Sequence, residues 1–380
     1  MRTFKKVTLI LFATLALSET LLRVFLKPVP PPPLFDVATM PSVRAEPWFA
    51  EWEREHSRLT REFMAYELYT LQPFNGKYLS VGADGYRRTL NPDALSSNPM
   101  RIGLFGGSTM WGGLARDAHT IGSELSATLN GHQFPAVVTN YGQVGFVFSQ
   151  EVHQALRVRY SPEPPQVMVF VDGVCDVLAG LANFVNGVED PAGKPWEYDK
   201  YHYLFQMGKT GEVSWSDVAK KSMLVRRLWK VAERRGWVEA ERKNRFVVAT
   251  SEDKVRLARQ VSEHYLRVVE TADKAFKGTG ARPIFVLQPA IFLKHPLSEE
   301  ENAALDRNRH WQDIVAAAYT NIRNGAKTLP AETEFLDFSG LFDGVPETLY
   351  ADIMHYSEAG NLRIAQALSA YLEGKKGPLL

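Results

Sequence analysis

The stretch Ile102-Gly103-Leu104-Phe105-Gly106-Gly107-Ser108-Thr109 decides how this chain is read. A short apolar run of this kind fits a strand buried on both faces. It breaks into two glycines, which let the backbone turn sharply and present Ser108 at the strand's carboxyl end. A glycine turn after a strand also suits a bound phosphate. A P-loop is excluded because no lysine follows, and a dinucleotide fold expects an acidic residue at the end of the second strand. That strand reads Val137-Val138-Thr139-Asn140 and ends without a carboxylate.

Working outward, further apolar or β-branched runs at 136–139, 167–171, 284–287 and 335–338 predict strands to join 102–105. Helical stretches at 121–129, 150–160, 252–276, 299–323 and 358–372 fill the intervals. Ser298 with Glu301, and Thr250 with Asp253, have the form of capping boxes. The alternation predicts an α/β chain, a three-layer α/β/α sandwich around a central parallel five-stranded sheet of flavodoxin-like type. In such sheets ligands gather at the carboxyl ends of strands.

The far end of the chain supplies partners for Ser108. In Tyr350-Ala351-Asp352-Ile353-Met354-His355, an acid stands three residues before a histidine, just ahead of a helix begun by Ser357. That spacing lets the carboxylate accept a hydrogen bond from one imidazole nitrogen while the other faces a nucleophile. Of the nine histidines, His355 alone combines a close acid with a position after the last strand.

These blocks, in this order from Arg101 to Asn361, resemble the SGNH/GDSL hydrolase superfamily, especially its bacterial membrane-anchored members. The resemblance implies a Ser108 nucleophile with His355 as base and Asp352 as its orienting acid. Thr139-Asn140-Tyr141-Gly142-Gln143-Val144-Gly145 is similar to the block whose second glycine, here Gly145, lends its N–H to the oxyanion hole alongside that of Ser108. Val171-Asp172-Gly173-Val174-Cys175-Asp176 resembles the Gly-x-Asn-Asp block, with Cys175 where the family carries asparagine. Gly107 stands where the family more usually has aspartate. A thiol is a weak donor, and a thiolate would repel an oxyanion. Losing one such donor costs roughly 10²–10³ in turnover.

The activity implied is that of a serine esterase removing or transferring O-acetyl or other short acyl groups on an extracytoplasmic polysaccharide. No cofactor and no metal are implied, and no closely spaced His/Asp/Glu cluster stands apart from the triad acid and base. Two alternatives stay open: a lipid esterase, and a weakened domain acting as a binding or scaffold component of an envelope complex. The hydrolase domain is expected at 99–374, interrupted by an insertion at 178–248. That insertion holds Trp196, Tyr198, Trp215 and Trp229 and a basic run from Lys220 to Arg235. It suits either a lid that contacts glycan or lipid headgroups, or a helical excursion with a solvated charged face.

The formal net charge of +1 over 380 residues gives no push toward nucleic acid. Cys175 is the single cysteine, so no intramolecular disulfide is available. Arg2, Lys5 and Lys6 precede an apolar run at 7–17 that resumes at 21–26. A positive flank and an apolar stretch of this length predict a signal-anchor at 1–27, in the membrane through residues 7–26. The main domain then lies outside the cytoplasm, in the periplasm, or is secreted after cleavage near Ala16 and Ser18. Prolines at 28–33 suit a stiff spacer, and 28–98 reads as that spacer followed by an N-terminal extension.

Overall fold

The computed structural model describes residues 36–93, 98–196, 198 and 250–374. The signal-anchor expected at 1–27 and most of the aromatic, basic insertion lie outside the described residues. Among the described residues, no helix is long and apolar enough to cross a membrane.

After one helical turn at Pro41–Arg44, the extension forms helix α1 (Phe49–His56) and two small hairpins, β1 (Arg61–Met64) with β2 (Leu68–Leu71) and β3 (Phe74–Asn75) with β4 (Ser80–Val81). Isolated hairpins this short are marginal in water. Here they are held by a shared apolar cluster in which Trp48, Phe49, Trp52 and Leu79 pack with Trp111 and Ala351. The Trp52 indole donates to the Ala115 carbonyl at 2.8 Å. The buried Arg87 guanidinium joins the extension to the loop after Trp111. It donates to Asp117 Oδ1 at 2.7 Å and to the carbonyls of Gly112 and Ala115 at 3.1 and 2.8 Å. Residues 36–93 therefore belong to the same compact unit as the α/β layers. Trp111 lies three residues after Ser108, and Ala351 one before Asp352, so this cluster underlies both ends of the site.

The α/β body runs β5 (Met100–Gly106), α2 (Ser108–Trp111), α3 (Ile121–Gly131), β6 (Ala136–Asn140), α4 (Phe148–Arg159), β7 (Val167–Asp172), α5 (Val174–Val185) and α6 (Ser251–Lys277). It ends with β8 (Arg282–Leu287), α7 (Glu299–Asp306), α8 (Gln312–Ala326), β9 (Glu334–Asp337) and α9 (Glu358–Leu372). The five strands are all parallel, in the order β6-β5-β7-β8-β9. The chain steps one way from β5 to β6 and the other way from β6 through β9. Right-handed crossovers then put α3 on one face and α4, α5, α6 and α8 on the other. The packing agrees: α3 lies against α9, while α6 lies against α4, α5 and α8. The three-layer α/β/α sandwich with five parallel strands is thus the architecture of the chain.

Burial on both faces explains the composition of the strands. All six residues of β7 are buried. Phe105, Phe170 and Phe285 stand in register on β5, β7 and β8, with ring centroids 5.0 and 5.5 Å apart, and Phe276 of α6 closes over Phe170. Such stacked pairs add to the area they bury.

Two boundaries differ from the sequence reading. The helix expected at 299–323 is two helices separated by a 3-10 turn at Arg309–Trp311. The buried Asn308 side chain breaks it, donating to the carbonyls of Ala304 and Asp36 and accepting from the Asp36 N–H. A side-chain amide that competes for a helix carbonyl ends the helix there. Helix α5 also runs on past 178, unbroken to Val185 and buried along most of its length.

Candidate active site

The order of the sheet reverses between β5 and β7, and it is at the carboxyl ends of strands at such a point that sheets of this kind hold ligands. Ser108 follows β5, Cys175 follows β7 and Gly145 follows β6, so all three reach this point from separate strands. Asp352 and His355 arrive on the loop between β9 and α9.

The loop shapes itself around the acid. Asp352 Oδ1 accepts the backbone N–H groups of Met354 and His355, both at 2.7 Å, which fixes the turn. Its Oδ2 meets His355 Nδ1 at 2.8 Å, and His355 Nε2 meets Ser108 Oγ at 2.8 Å. Burial lowers the imidazole pKa, while the charge and hydrogen bond of Asp352 raise it; the net shift is upward. Gly113 packs directly on the ring, since a Cβ there would stand 2.6 Å from His355 Cδ2. The three residues expected to form a triad are therefore brought into one line of hydrogen bonds.

The turn bearing Gly145 is built by Asn140. The Asn140 amide donates to the Met110 carbonyl at 2.8 Å and its oxygen accepts from the Gly142 N–H at 2.9 Å, tying the turn to α2. Gly142 has to be glycine because a Cβ would lie 2.4 Å from the Trp111 nitrogen. Gly145 has φ +82°, in the left-handed region that favours glycine, and its N–H has no acceptor among the described residues. Tyr69 from the extension donates its hydroxyl to the Val144 carbonyl at 2.6 Å and lies against Gly145. Trp196 reaches the same glycine, its Cδ1 4.0 Å from where a Cβ would be. Trp215 and Trp229 of the insertion lie outside the described residues.

Cys175 sits where the sequence blocks put it, 2% exposed at the start of α5. Ser108 is near enough to favour the Cys175 thiolate slightly, against the larger effect of burial. A Cβ on Gly107 would meet the Phe146 carbonyl at 2.9 Å and Cys175 Sγ at 3.0 Å. The missing aspartate and the missing asparagine are thus neighbours in space. Burial pushes the Cys175 thiol far up, and Asp176 and Asp172 beside it add to the shift, so it stays protonated at neutral pH. A neutral thiol neither repels an oxyanion nor competes as a nucleophile. Behind it lie three buried carboxyls, Glu151, Asp172 and Asp176. Burial raises all three, Asp176 to about 7, and holds Glu151 and Asp172 well above the carboxylate range. Among the described residues, no group of three or more His, Cys, Asp or Glu is placed to hold a metal ion.

Sequence reasoning missed three supports of this site. Tyr69 lies in a stretch without periodicity. Lys294 and Glu301 read as ordinary charges, yet they form a buried ion pair, and Glu301 Oε1 accepts the N–H groups of Leu349 and Tyr350 just before Asp352. The capping-box form of Ser298 and Glu301 was the one signal that Glu301 has structural work.

No family model matches the chain, and no curated protein matches it. Among solved structures it is similar to a member of the lipolytic protein G-D-S-L family from Veillonella parvula, at 14% identity and TM-score 0.38, covering 72% of this chain and 97% of that one. It is also similar to a carbohydrate acetylesterase from Sinorhizobium meliloti, at 9% identity and TM-score 0.36, covering 72% and 99%. A third is an acetyl-xylooligosaccharide esterase from a Geobacillus, at 11% identity and TM-score 0.37, covering 74% and 96%. The fold rests on the chain's own sheet order, and the site on its own atoms.

Proposed function

We propose that this chain is a serine esterase acting on short acyl groups, O-acetyl above all, carried by an extracytoplasmic polysaccharide. The observation that carries the reading is the line Asp352–His355–Ser108, each link 2.8 Å. His355 takes the Ser108 proton as Oγ attacks the ester carbonyl, and Asp352 holds the imidazole tautomer and stabilises its charged form. The N–H groups of Ser108 and Gly145 stabilise the oxyanion. The alkoxide leaves with the proton from His355, and water or a sugar hydroxyl then takes the acyl group from Ser108. The apolar residues 7–26 support a location outside the cytoplasm.

The base works only as neutral imidazole. Activity is therefore lost as pH falls through the His355 pKa, which Asp352 holds above 6.5. The full chain, recovered with the membrane fraction, is expected to hydrolyse p-nitrophenyl acetate with an acid limb above that value. Folded protein with no hydrolysis between about pH 5 and 9 would defeat the esterase reading. Recovery solely from the cytosol would remove the envelope location.

Cys175 sets the rate rather than the reaction. Cys175→Asn supplies a side-chain N–H donor where the thiol is a weak one, and is expected to raise kcat by roughly tenfold or more. A folded variant with unchanged or lower kcat would show that the third donor position is not used.

A further inference from the structure

The extension brings a cation close to the turn that bears Gly145. Arg61 of β1 is exposed and lies with its guanidinium 4.4 Å from the centre of the Tyr69 ring. The hydroxyl of that ring is pinned to Val144, and it stands 2.9 Å from where a Cβ of Gly145 would be. One aromatic ring thus separates Arg61 from the expected oxyanion site. Arg58 lies with its guanidinium 5.4 Å from the Phe74 ring centre. His56 stacks on Trp52 at 4.9 Å and meets Trp111 edge-on at 5.8 Å, next to the turn that bears Ser108.

Neither Arg58 nor Arg61 has a carboxylate partner among the described residues, although nearby Arg54 is paired with Glu51 at 2.5 Å. Glu62 follows Arg61 but points to the opposite face of its strand. His56 reports the local field: burial lowers its pKa to about 4, and the charges that add to this are Arg87, His355 and Arg61, all cationic. A guanidinium held over a tyrosine ring spends no N–H donor on that contact, and carboxylate is the planar bidentate match for its fork.

We propose that Arg61, set over Tyr69 beside Gly145, forms a subsite for a carboxylate-bearing sugar, so that the ester presented to Ser108 sits on an acidic, uronate-type polysaccharide. This rests on the esterase reading, but binding can be measured apart from turnover. Tyr69 both carries the guanidinium and buttresses the turn of Gly145, so the carboxylate is gripped at a fixed offset from the oxyanion position. The contact is charge-assisted and open to solvent, so it weakens as ionic strength rises.

The test uses the full chain carrying Ser108→Ala, which cannot consume its ligand, and measures affinity for acetylated polygalacturonate. Acetylated xylan is the neutral comparison, and vesicles of phosphatidylglycerol test a lipid surface. Tighter binding of the acidic glycan is expected, falling with salt. Adding Arg61→Gln should weaken it roughly five- to tenfold, the worth of one screened ionic contact. Arg61→Lys should restore part of it, and Arg54→Gln should leave it unchanged. Thermal denaturation of each variant separates lost binding from lost fold. Equal affinity for the neutral glycan, indifference to Arg61→Gln in a folded variant, or binding to vesicles alone would each overturn the proposal. A wild-type chain that fails to hydrolyse p-nitrophenyl acetate would instead count against the esterase reading, whatever the binding result.

Discussion

Ser108→Ala is expected to lower kcat for p-nitrophenyl acetate by about 10⁴-fold or more, with the thermal transition nearly unchanged. Among the described residues, the hydroxyl is the only group in line with His355 Nε2, at 2.8 Å. No other nucleophile stands ready to replace it. Cys175 is close, but burial and the flanking carboxyls keep it a neutral thiol. The oxyanion donors on Gly145 and the backbone of residue 108 remain in the variant, so a residual rate above water is expected rather than zero. The assay is steady-state turnover together with trapping of an acyl-enzyme by mass spectrometry. A variant keeping a tenth of wild-type kcat, or an acyl group found on another residue, would move the chemistry away from Ser108.

The second large effect is on stability. Glu301→Ala is expected to cost about 3–5 kcal/mol, the usual result of removing one partner from a buried ion pair. Both side chains are almost fully enclosed, and Lys294 also donates to the Glu347 carbonyl at 2.8 Å. The carboxylate does more than neutralise the lysine. Its Oε2 accepts the Ser298 N–H at 2.9 Å, and its Oε1 accepts those of Leu349 and Tyr350 at 2.9 and 3.3 Å. Removing it strands a buried ammonium and frees three backbone donors, one of them two residues before Asp352. A fall in Tm of roughly 5–15 °C is expected by thermal denaturation. Because the loop that carries the acid and the base loses its anchor, kcat should fall as well. A Tm within a degree or two of wild type would show that Lys294 finds other partners.

The parts of this architecture visible in the sequence are those built from repeated local rules. The strands from 102 to 338 are continuous apolar runs because both faces are covered, and their order follows from alternation with helices. Ser108, Asp352 and His355 stand at strand ends, where turn chemistry leaves a mark of glycine before and a capping serine after. The extension left no such mark. Its hairpins are two to four residues long, too short for an alternation to register, and they depend on Trp48 and Trp52 meeting Trp111 from another part of the chain. The break at Asn308 was hidden for a similar reason, since its amide is satisfied by Asp36, far away in sequence. Glu301 is the clearest case. A glutamate three residues after Ser298 announces a helix start, but nothing local tells that the same carboxylate also receives Lys294 and the approach to Asp352.

The extension has one consequence for the order in which the molecule becomes itself. Met40 donates its N–H to the Ala351 carbonyl at 2.7 Å, and Trp52 packs in the cluster that holds Trp111 and Ala351. The first described residues and the loop that carries Asp352 and His355 thus complete one another, with nearly the whole chain between them. Contacts so distant in sequence form late, because closing the intervening chain costs entropy that only nearly finished packing offsets. During synthesis or passage across a membrane, Ser108 stays without its base until the last strand and helix have emerged and docked. Reactivity at Ser108 is then a report on the completed molecule: an active-site probe that labels serine should count finished copies and pass over nascent ones.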